Sequence, residues 1–246
     1  MNVKEATRFV LMKKAKENGF NAAYSAAYST LKSKEQKDNL QFTADVHGEI
    51  CETVLELRIL EFMSKNKEYT KDWRLVKGLI LKDRHNLASD FMTETDLFLA
   101  TPQCLYLFEC KSYSGDKVLV KDGLLVRQLA HEVKPFYCNV YQQSMLHKKV
   151  ISEWFTDEFL LPDRIPVIQT CMFDFSLGTL VDKRSRAAKI ELPCLNINSL
   201  IPYLVSQTEE AWDMQALCAV VERLQAVSDK CRSSHLKYVK SLHGGV

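Results

Sequence analysis

Residues 105–111 of this 246-residue chain combine an apolar run with two charged side chains. Leu105-Tyr106-Leu107-Phe108 is apolar at four successive positions, which predicts a strand buried on both faces near the centre of a sheet. Glu109 and Lys111 follow on the same strand and project from one face, because side chains alternate along a strand. Burying two such charges costs several kcal/mol per ion unless they are paired or bind a cation. The fold must therefore place charged groups at the end of a central strand.

Helical and strand patterns alternate on both sides of this segment. The predicted elements, in chain order, are helices in 1–40, a helix over 45–63, strands over 73–81, 95–100, 105–110, 117–121 and 124–128, a helix over 137–155, a strand over 167–175, β segments near 180 and at 190–192, and two or three helices from 196 on. Residues 82–89 read as a loop. This order predicts an α/β fold around a mixed sheet. The expected domains are an N-terminal helical extension (1–40), a core (41–195) and a C-terminal helical region (196–246).

The hairpin before Glu109 brings in a second carboxylate. If Thr101–Cys104 is a four-residue loop, Ala100 pairs with Leu105 and Asp96 faces Glu109, whereas a three-residue loop turns Asp96 to the other face. Two carboxylates and a lysine on one face suit metal-assisted hydrolysis of phosphodiester bonds, because Mg²⁺ prefers oxygen ligands and an ammonium group stabilises developing negative charge. The alternative is a purely structural ion pair at the strand end.

Three glutamates share one side of the predicted 45–63 helix. Glu49, Glu52 and Glu56 follow the i, i+3, i+7 spacing, and most of the remaining circumference is apolar. Like charges on a largely buried helix repel one another unless a cation or a basic group compensates them. The alternative is a face that meets water, with Glu52 and Glu56 paired to lysines. We favour this alternative for Glu49 and Glu56, and a site role for Glu52.

Charge and motif content exclude several function classes. The chain carries 33 Lys+Arg and 31 Asp+Glu, a formal net charge of +2, which excludes binding driven by bulk positive charge. The densest basic run, residues 183–186, is interpreted as a solvated loop in preference to a phosphate contact. Tyr24 and Tyr28, four residues apart, are expected to pack onto the main domain. The sequence contains no dinucleotide-binding, P-loop or α/β-hydrolase motif.

Motifs in a fixed order give these residues a family context. The chain resembles the nuclease-related domain (NERD) family of the PD-(D/E)XK nuclease superfamily over roughly residues 45–155. The matching motifs are Gly48-Glu49-Ile50-Cys51-Glu52, Thr95-Asp96-Leu97-Phe98-Leu99, Leu107-Phe108-Glu109-Cys110-Lys111 with Gly115, and Asn139-Val140-Tyr141-Gln142-Gln143 with His147. Two positions depart from the family pattern: Cys51 stands where a glycine is common and Val140 where a proline is usual.

The resemblance implies a restriction-endonuclease-like core and a nuclease that depends on Mg²⁺ or Mn²⁺, with DNA as the expected substrate. It implies that Glu52, Asp96 and Glu109 bind the metal, directly or through water, that Lys111 is catalytic and that Gln143 supports the site. The competing hypothesis is a non-catalytic module that keeps the nuclease fold and binds nucleic acid or a partner protein.

The beginning of the sequence and its hydropathy bear on location. No signal peptide is recognisable at the start, no apolar stretch approaches 18 residues, and the eight cysteines form no CxxC motif. We therefore expect a cytoplasmic protein without a membrane segment and without disulfides. Self-association into a homo-oligomer is compatible with the sequence.

Overall fold

A computed structural model describes residues 2–34, 40–83, 92–113, 115–121, 123–128, 133–157, 167–207 and 213–243. Its elements are α1 (Val3–Asn18), α2 (Phe20–Lys34), α3 (Leu40–Lys65), α4 (Lys67–Thr70), β1 (Arg74–Lys82), β2 (Met92–Ala100), β3 (Leu105–Lys111), β4 (Lys117–Leu119), β5 (Leu124–Gln128), β6 (Val133–Asn139), α5 (Val140–Asp157), β7 (Ile168–Asp174), β8 (Leu180–Asp182), α6 (Arg186–Glu191), β9 (Cys194–Leu195), α7 (Leu200–Val205) and α8 (Met214–His243).

The strands form two sheets. One has five strands in the order β1-β2-β3-β7-β9, and it is mixed because β1–β2 and β2–β3 are antiparallel whereas β7–β9 is parallel. The other has four strands in the order β6-β5-β4-β8. The predicted α/β fold, a central mixed sheet flanked by helices, is confirmed. None of the helices among the described residues combines the length and apolar character that crossing a membrane requires.

The chain divides into two compact units, which are described separately. The first unit comprises Met1–Lys71, Glu109–Gln142 and Cys171–Ser206, and the second comprises Asp72–Phe108, Gln143–Thr170 and Gln207–Val246. The domain boundaries expected from the sequence stay a prediction.

The second unit is built on the hairpin of β2 and β3. Ala100 pairs with Leu105, which is the register predicted for a four-residue loop. The loop closes on itself, because Thr101 N–H donates to the Cys104 carbonyl at 3.0 Å and Thr101 Oγ1 accepts from Cys104 N–H at 3.1 Å. Strand side chains such as Phe98 pack with residues of α5 and α8 in one buried apolar cluster. Each such large side chain stabilises the fold by about 1.5–3 kcal/mol.

In the first unit, α1 and α2 pack with α3. Arg8 of α1 donates to both carboxylate oxygens of Glu56, from Nε at 3.0 Å and from Nη2 at 2.7 Å. Tyr24 of α2 donates to Glu61 at 3.0 Å, and the Tyr28 ring meets Phe175 edge to face. The predicted packing of both tyrosines is confirmed.

One predicted helix starts later than expected, and one predicted β segment is wrong. The helix expected over 137–155 begins at Val140, and the preceding residues form β6. β6 contains Pro135, which lowers strand propensity, but the strand lies at the edge of its sheet, where a missing N–H is tolerated. The β segment expected over 190–192 is wrong, because residues 190 and 191 end α6 and residue 192 caps it. Ser185 Oγ caps the start of this helix by accepting from Ala188 N–H at 3.2 Å.

Two further elements have bounds that differ from the prediction, and two predicted features lie partly outside the described residues. The strand expected over 117–121 ends at Leu119, and the helix expected over 45–63 extends over Leu40–Lys65. Most of the loop expected over 82–89 lies outside the described residues, as does Asp122 of the predicted Asp-Gly turn. The hairpin itself is confirmed, since β4 and β5 pair in antiparallel fashion.

Candidate functional site

A buried ion pair occupies the end of β3. Lys111 Nζ lies 2.6 Å from Glu109 Oε1, and the two side chains are only 11% and 5% exposed. The alternation of side chains along the strand puts both on one face, as predicted. At this depth each charge needs a compensating group, and the short contact provides one for both. The structure therefore brings a carboxylate and an ammonium group together at the end of a central strand.

Helix α3 passes directly beside this strand end. Cys51 is fully buried, and its Sγ lies 3.6 Å from the carbonyl oxygens of both Lys111 and Phe173. A small side chain at this position allows the close approach of helix and strand, which gives a physical reason for the Cys51 position in the motif. Glu52, the next residue, is partly buried. The first unit thus places the helix carrying Glu52 next to Glu109 and Lys111.

The other two glutamates of the α3 motif have structural partners. Glu56 is buried and is held by the two hydrogen bonds from Arg8, which raise the pKa of that guanidinium. Glu49 Oε1 accepts a hydrogen bond from Thr53 Oγ1 at 3.0 Å. The interpretation favoured for Glu49 and Glu56, a face that meets water, is wrong, because both glutamates are buried. Glu56 does have a basic partner, but it is an arginine of the N-terminal extension and not a lysine.

Asp96 belongs to β2 in the second unit and is partly buried. The observed β2–β3 pairs run from Ala100–Leu105 to Leu97–Phe108. Next to Asp96, the hydroxyl of Thr95 lies 3.4 Å from Nδ1 of His147, a buried histidine of α5. Helix α5 therefore contacts β2 at Thr95, the residue that precedes the predicted metal ligand Asp96.

The start of α5 carries the predicted glutamine. Asn139 Oδ1 accepts from Gln142 N–H at 3.0 Å and so caps the first turn of the helix. Val140 occupies the first helical position, and this is a position where the proline usual in the family is also tolerated. Gln142 is exposed, whereas Gln143 is partly buried.

The side chains that could coordinate a metal ion are carboxylates, histidines and cysteines. Among the residues that the structure describes, no group of three or more histidine, cysteine, aspartate or glutamate side chains is arranged to hold a metal ion. Mg²⁺ usually takes one or two protein carboxylates and keeps several waters. A site with one or two direct carboxylate ligands is therefore the form of the metal hypothesis that suits these residues, with Glu52 acting through water.

A second buried ion pair was missed by sequence reasoning. Lys117 of β4 is fully buried, and its Nζ lies 3.1 Å from Asp174 Oδ1 at the end of β7. Lys117 Nζ also donates to the Tyr113 carbonyl at 3.0 Å and to the Ser176 hydroxyl. Burial raises the pKa of Asp174 and outweighs the opposing effects of Lys117 and Ser176. The partners are far apart in the chain, so no local pattern predicted the pair.

One residue of the basic run was wrongly interpreted as solvated. Arg184 is buried, and it donates to Asp182 from Nε at 3.0 Å and from Nη2 at 2.8 Å. Its Nη2 also donates to the Leu192 carbonyl at 2.7 Å. Burial alone would raise the pKa of Asp182. The hydrogen bonds from Arg184 have the opposite and larger effect, so the pKa of Asp182 is lowered overall. Lys183 and Arg186 are exposed, as expected.

Comparison with known proteins gave one family. The family model described as "Nuclease-related domain" (NERD) matches residues 52–173. This span contains the Glu109–Lys111 pair, Asp96 and the first turn of α5. Neither the curated proteins nor the solved structures gave a significant match.

Proposed function

Because residues 52–173 carry a nuclease-related domain, we propose that this protein is a divalent-metal-dependent nuclease that hydrolyses phosphodiester bonds in DNA. The observation that carries this proposal is the buried pair of Glu109 and Lys111, 2.6 Å apart at the end of β3. A purely structural ion pair could occur anywhere in a fold. This pair lies inside the region matched by the family model and beside the helix that carries Glu52.

The proposed metal ligands are Glu109 and Asp96. The observed register ends at Leu97–Phe108, and Asp96 and Glu109 are the next residues of their strands. This is the register on which the sequence-based expectation that Asp96 faces Glu109 depends. Mg²⁺ or Mn²⁺ bound there would polarise the phosphoryl oxygen and favour hydroxide formation from its bound water.

Lys111 has the catalytic role in this proposal. Its ammonium group sits at the strand end, where it orients the attacking water or stabilises negative charge that develops on the phosphate. Gln143, partly buried in the first turn of α5, supports the site by hydrogen bonding. Glu52 contributes a further carboxylate through a metal-bound water.

A cleavage panel tests the proposal. Supercoiled, linear and single-stranded DNA and a matched RNA are incubated with Mg²⁺, with Mn²⁺ and with EDTA. We expect metal-dependent cleavage of DNA, and nicking of the supercoiled circle if the enzyme is an endonuclease. Lys111→Ala should lower the rate by about 10²-fold or more, while Lys121→Ala, which removes an exposed lysine, should not. A Lys111→Ala protein that cuts at the wild-type rate would refute the proposed catalytic role.

A second candidate is a non-catalytic module that binds nucleic acid or a partner protein. The observation that favours it is the direct contact of Lys111 with Glu109, through which each charge compensates the other without a cation. Metal titration separates the candidates, because the second predicts no cation bound by Asp96 and Glu109.

A further inference from the structure

A cleft of about 640 Å³ opens in the first unit, where β7 ends. Its walls come from α2, from the segment after β7, from β8 and α6, and from the residues around β9. This volume lies within the range of small-molecule sites. Such sites combine apolar walls with a few placed polar groups, so the chemistry of the lining indicates the ligand.

Two acidic residues line the cleft, Asp174 and Asp182, and Asp174 is the one considered first. Its side chain is 12% exposed, and its oxygens are contacted by Lys117 Nζ at 3.1 Å and by the Ser176 hydroxyl at 3.0 and 3.1 Å. An ionised carboxylate offers about four acceptor positions, so Asp174 retains acceptor capacity toward the cleft. Since Lys117 compensates its charge, this part of the cleft accepts hydrogen bonds without requiring a cationic ligand.

An aromatic side chain stands at the rim. Tyr28 is 44% exposed although it lines the cleft, and its ring meets the buried Phe175 ring at 5.0 Å and 79°. A perpendicular contact covers at most one face of the tyrosine ring. The second face is therefore not covered by Phe175, and a planar ligand can stack on it.

The charges around the cleft favour a ligand with a neutral body and an anionic end. Asp182, like Asp174, lines the cleft and is compensated by a buried base, Arg184. Lys189 lines the cleft as well and is exposed, which adds a positive charge at the edge. A flexible, exposed lysine is a common partner of phosphate.

The cleft adjoins the strand end that carries the proposed catalytic lysine. Ser112, the residue after Lys111, donates its hydroxyl hydrogen to the Phe175 carbonyl at 2.9 Å. Phe175 lines the cleft. A nucleotide bound in the cleft would therefore lie close to the end of β3, which carries Lys111.

We infer that this cleft binds one nucleotide whose base carries an exocyclic amino group. The base stacks on Tyr28, the amino group donates to Asp174, and the phosphate contacts Lys189. The inference rests on the proposed function for the source of the ligand, which is a nucleotide of the substrate strand. Adenine, cytosine and guanine carry such an amino group, whereas thymine presents an acceptor oxygen at the equivalent edge.

The test measures binding alone, with EDTA present, so that a failure of cleavage cannot be mistaken for a failure of the cleft. The full chain is titrated calorimetrically with dAMP, dCMP and dTMP. We expect saturable binding of dAMP and dCMP, and at least about tenfold weaker binding of dTMP. Equal affinity for the three nucleotides, or no saturable binding of any, would overturn the inference.

Matched variants assign the contacts. Tyr28→Ala should weaken dAMP binding about tenfold, because it removes a stacking platform, and Tyr28→Phe should retain it. Tyr69→Ala is the control, since Tyr69 is also exposed and also meets a phenylalanine ring edge to face, but it does not line the cleft. Equal losses in Tyr28→Ala and Tyr69→Ala would contradict the assignment.

Two further experiments test the phosphate contact and ask whether the bound nucleotide belongs to a DNA strand. Lys189→Ala should weaken dAMP but not deoxyadenosine, which lacks the phosphate, and Lys183→Ala should affect neither. A short single-stranded deoxyadenosine oligonucleotide should compete with dAMP if the nucleotide comes from a strand. Failure of the oligonucleotide to compete would overturn the link to the substrate strand and would identify a site for free nucleotides.

Discussion

Replacement of Arg184 by alanine tests whether the basic run at 183–186 contributes to the fold or to the surface. The Arg184 side chain is fully buried and makes a two-pronged contact with Asp182, with further hydrogen bonds to the carbonyls of Leu192 at 2.7 Å and Ala188 at 3.2 Å. Arg184→Ala leaves all three acceptors without this donor. Lys183 and Arg186, in the same run, are exposed and serve as matched controls.

The size of the effect follows from these contacts. Removing one partner of a buried ion pair costs about 3–5 kcal/mol, because the other charge is left uncompensated. The Asp182 side chain is 18% exposed, so water reaches the remaining carboxylate, and we expect the lower end, about 3 kcal/mol. The two exposed controls should change the free energy of unfolding by less than about 0.5 kcal/mol.

Urea unfolding followed by circular dichroism measures the difference. With a denaturant slope of about 3 kcal/mol/M, the midpoint of Arg184→Ala should fall by about 1 M relative to wild type. Arg184→Lys should recover only part of this, since lysine cannot form the two-pronged contact. The reasoning is refuted if Arg184→Ala unfolds at the wild-type midpoint and instead weakens DNA binding with a reduced salt dependence, the signature of a phosphate contact.

Three further changes have defined outcomes. Lys117→Met should lower the free energy of unfolding by about 3–5 kcal/mol, and adding Asp174→Asn should restore part of it, as a thermal or urea double-mutant cycle would show; additive losses would contradict the pairing. Gly123→Ala should destabilise the protein more than Gly19→Ala in thermal unfolding. Both glycines have positive φ, but a Cβ at Gly123 would clash with another segment of the same chain, whereas a Cβ at Gly19 meets nothing within 4 Å. The pKa of Asp182 is lower in the folded chain than in the unfolded chain, where it is about 3.9. Its ionised carboxylate therefore stabilises the fold above that pH, and this contribution is lost as the pH falls through the pKa of the folded state. Asp182→Asn should show a smaller loss of stability than wild type between about pH 5 and 3.

Sequence reasoning succeeded where the information was local. The apolar run of β3 and the alternation that puts Glu109 and Lys111 on one face are properties of a few adjacent residues. The hairpin register followed from the length of the Thr101–Cys104 loop, which fixes which residues pair. The start of α5 was placed three residues too early, because the strand before it, β6, was not predicted.

Tertiary partners were beyond this reasoning. The bond from Arg8 to Glu56 and the pair of Lys117 with Asp174 join residues that are far apart in the chain, and either base could equally well face water in a surface helix or strand. Arg184 was misjudged for the same reason, because charge runs are usually solvated and only the folded chain shows that the middle arginine turns inward. The nucleotide cleft assembles from several elements and has no contiguous signature.

The central claim is that Asp96 and Glu109 share one divalent cation, and titration with Mn²⁺ monitored by electron paramagnetic resonance tests it most directly. We predict one Mn²⁺ per wild-type chain, and a loss of affinity of about tenfold or more in Asp96→Asn and in Glu109→Gln, with Glu68→Gln, an exposed carboxylate on α4, as the unaffected control. Because both carboxylates would serve one ion, the double variant should lose less than the sum of the two single losses in free energy. A wild-type chain that binds no Mn²⁺, or two single variants whose effects are independent, would contradict the claim.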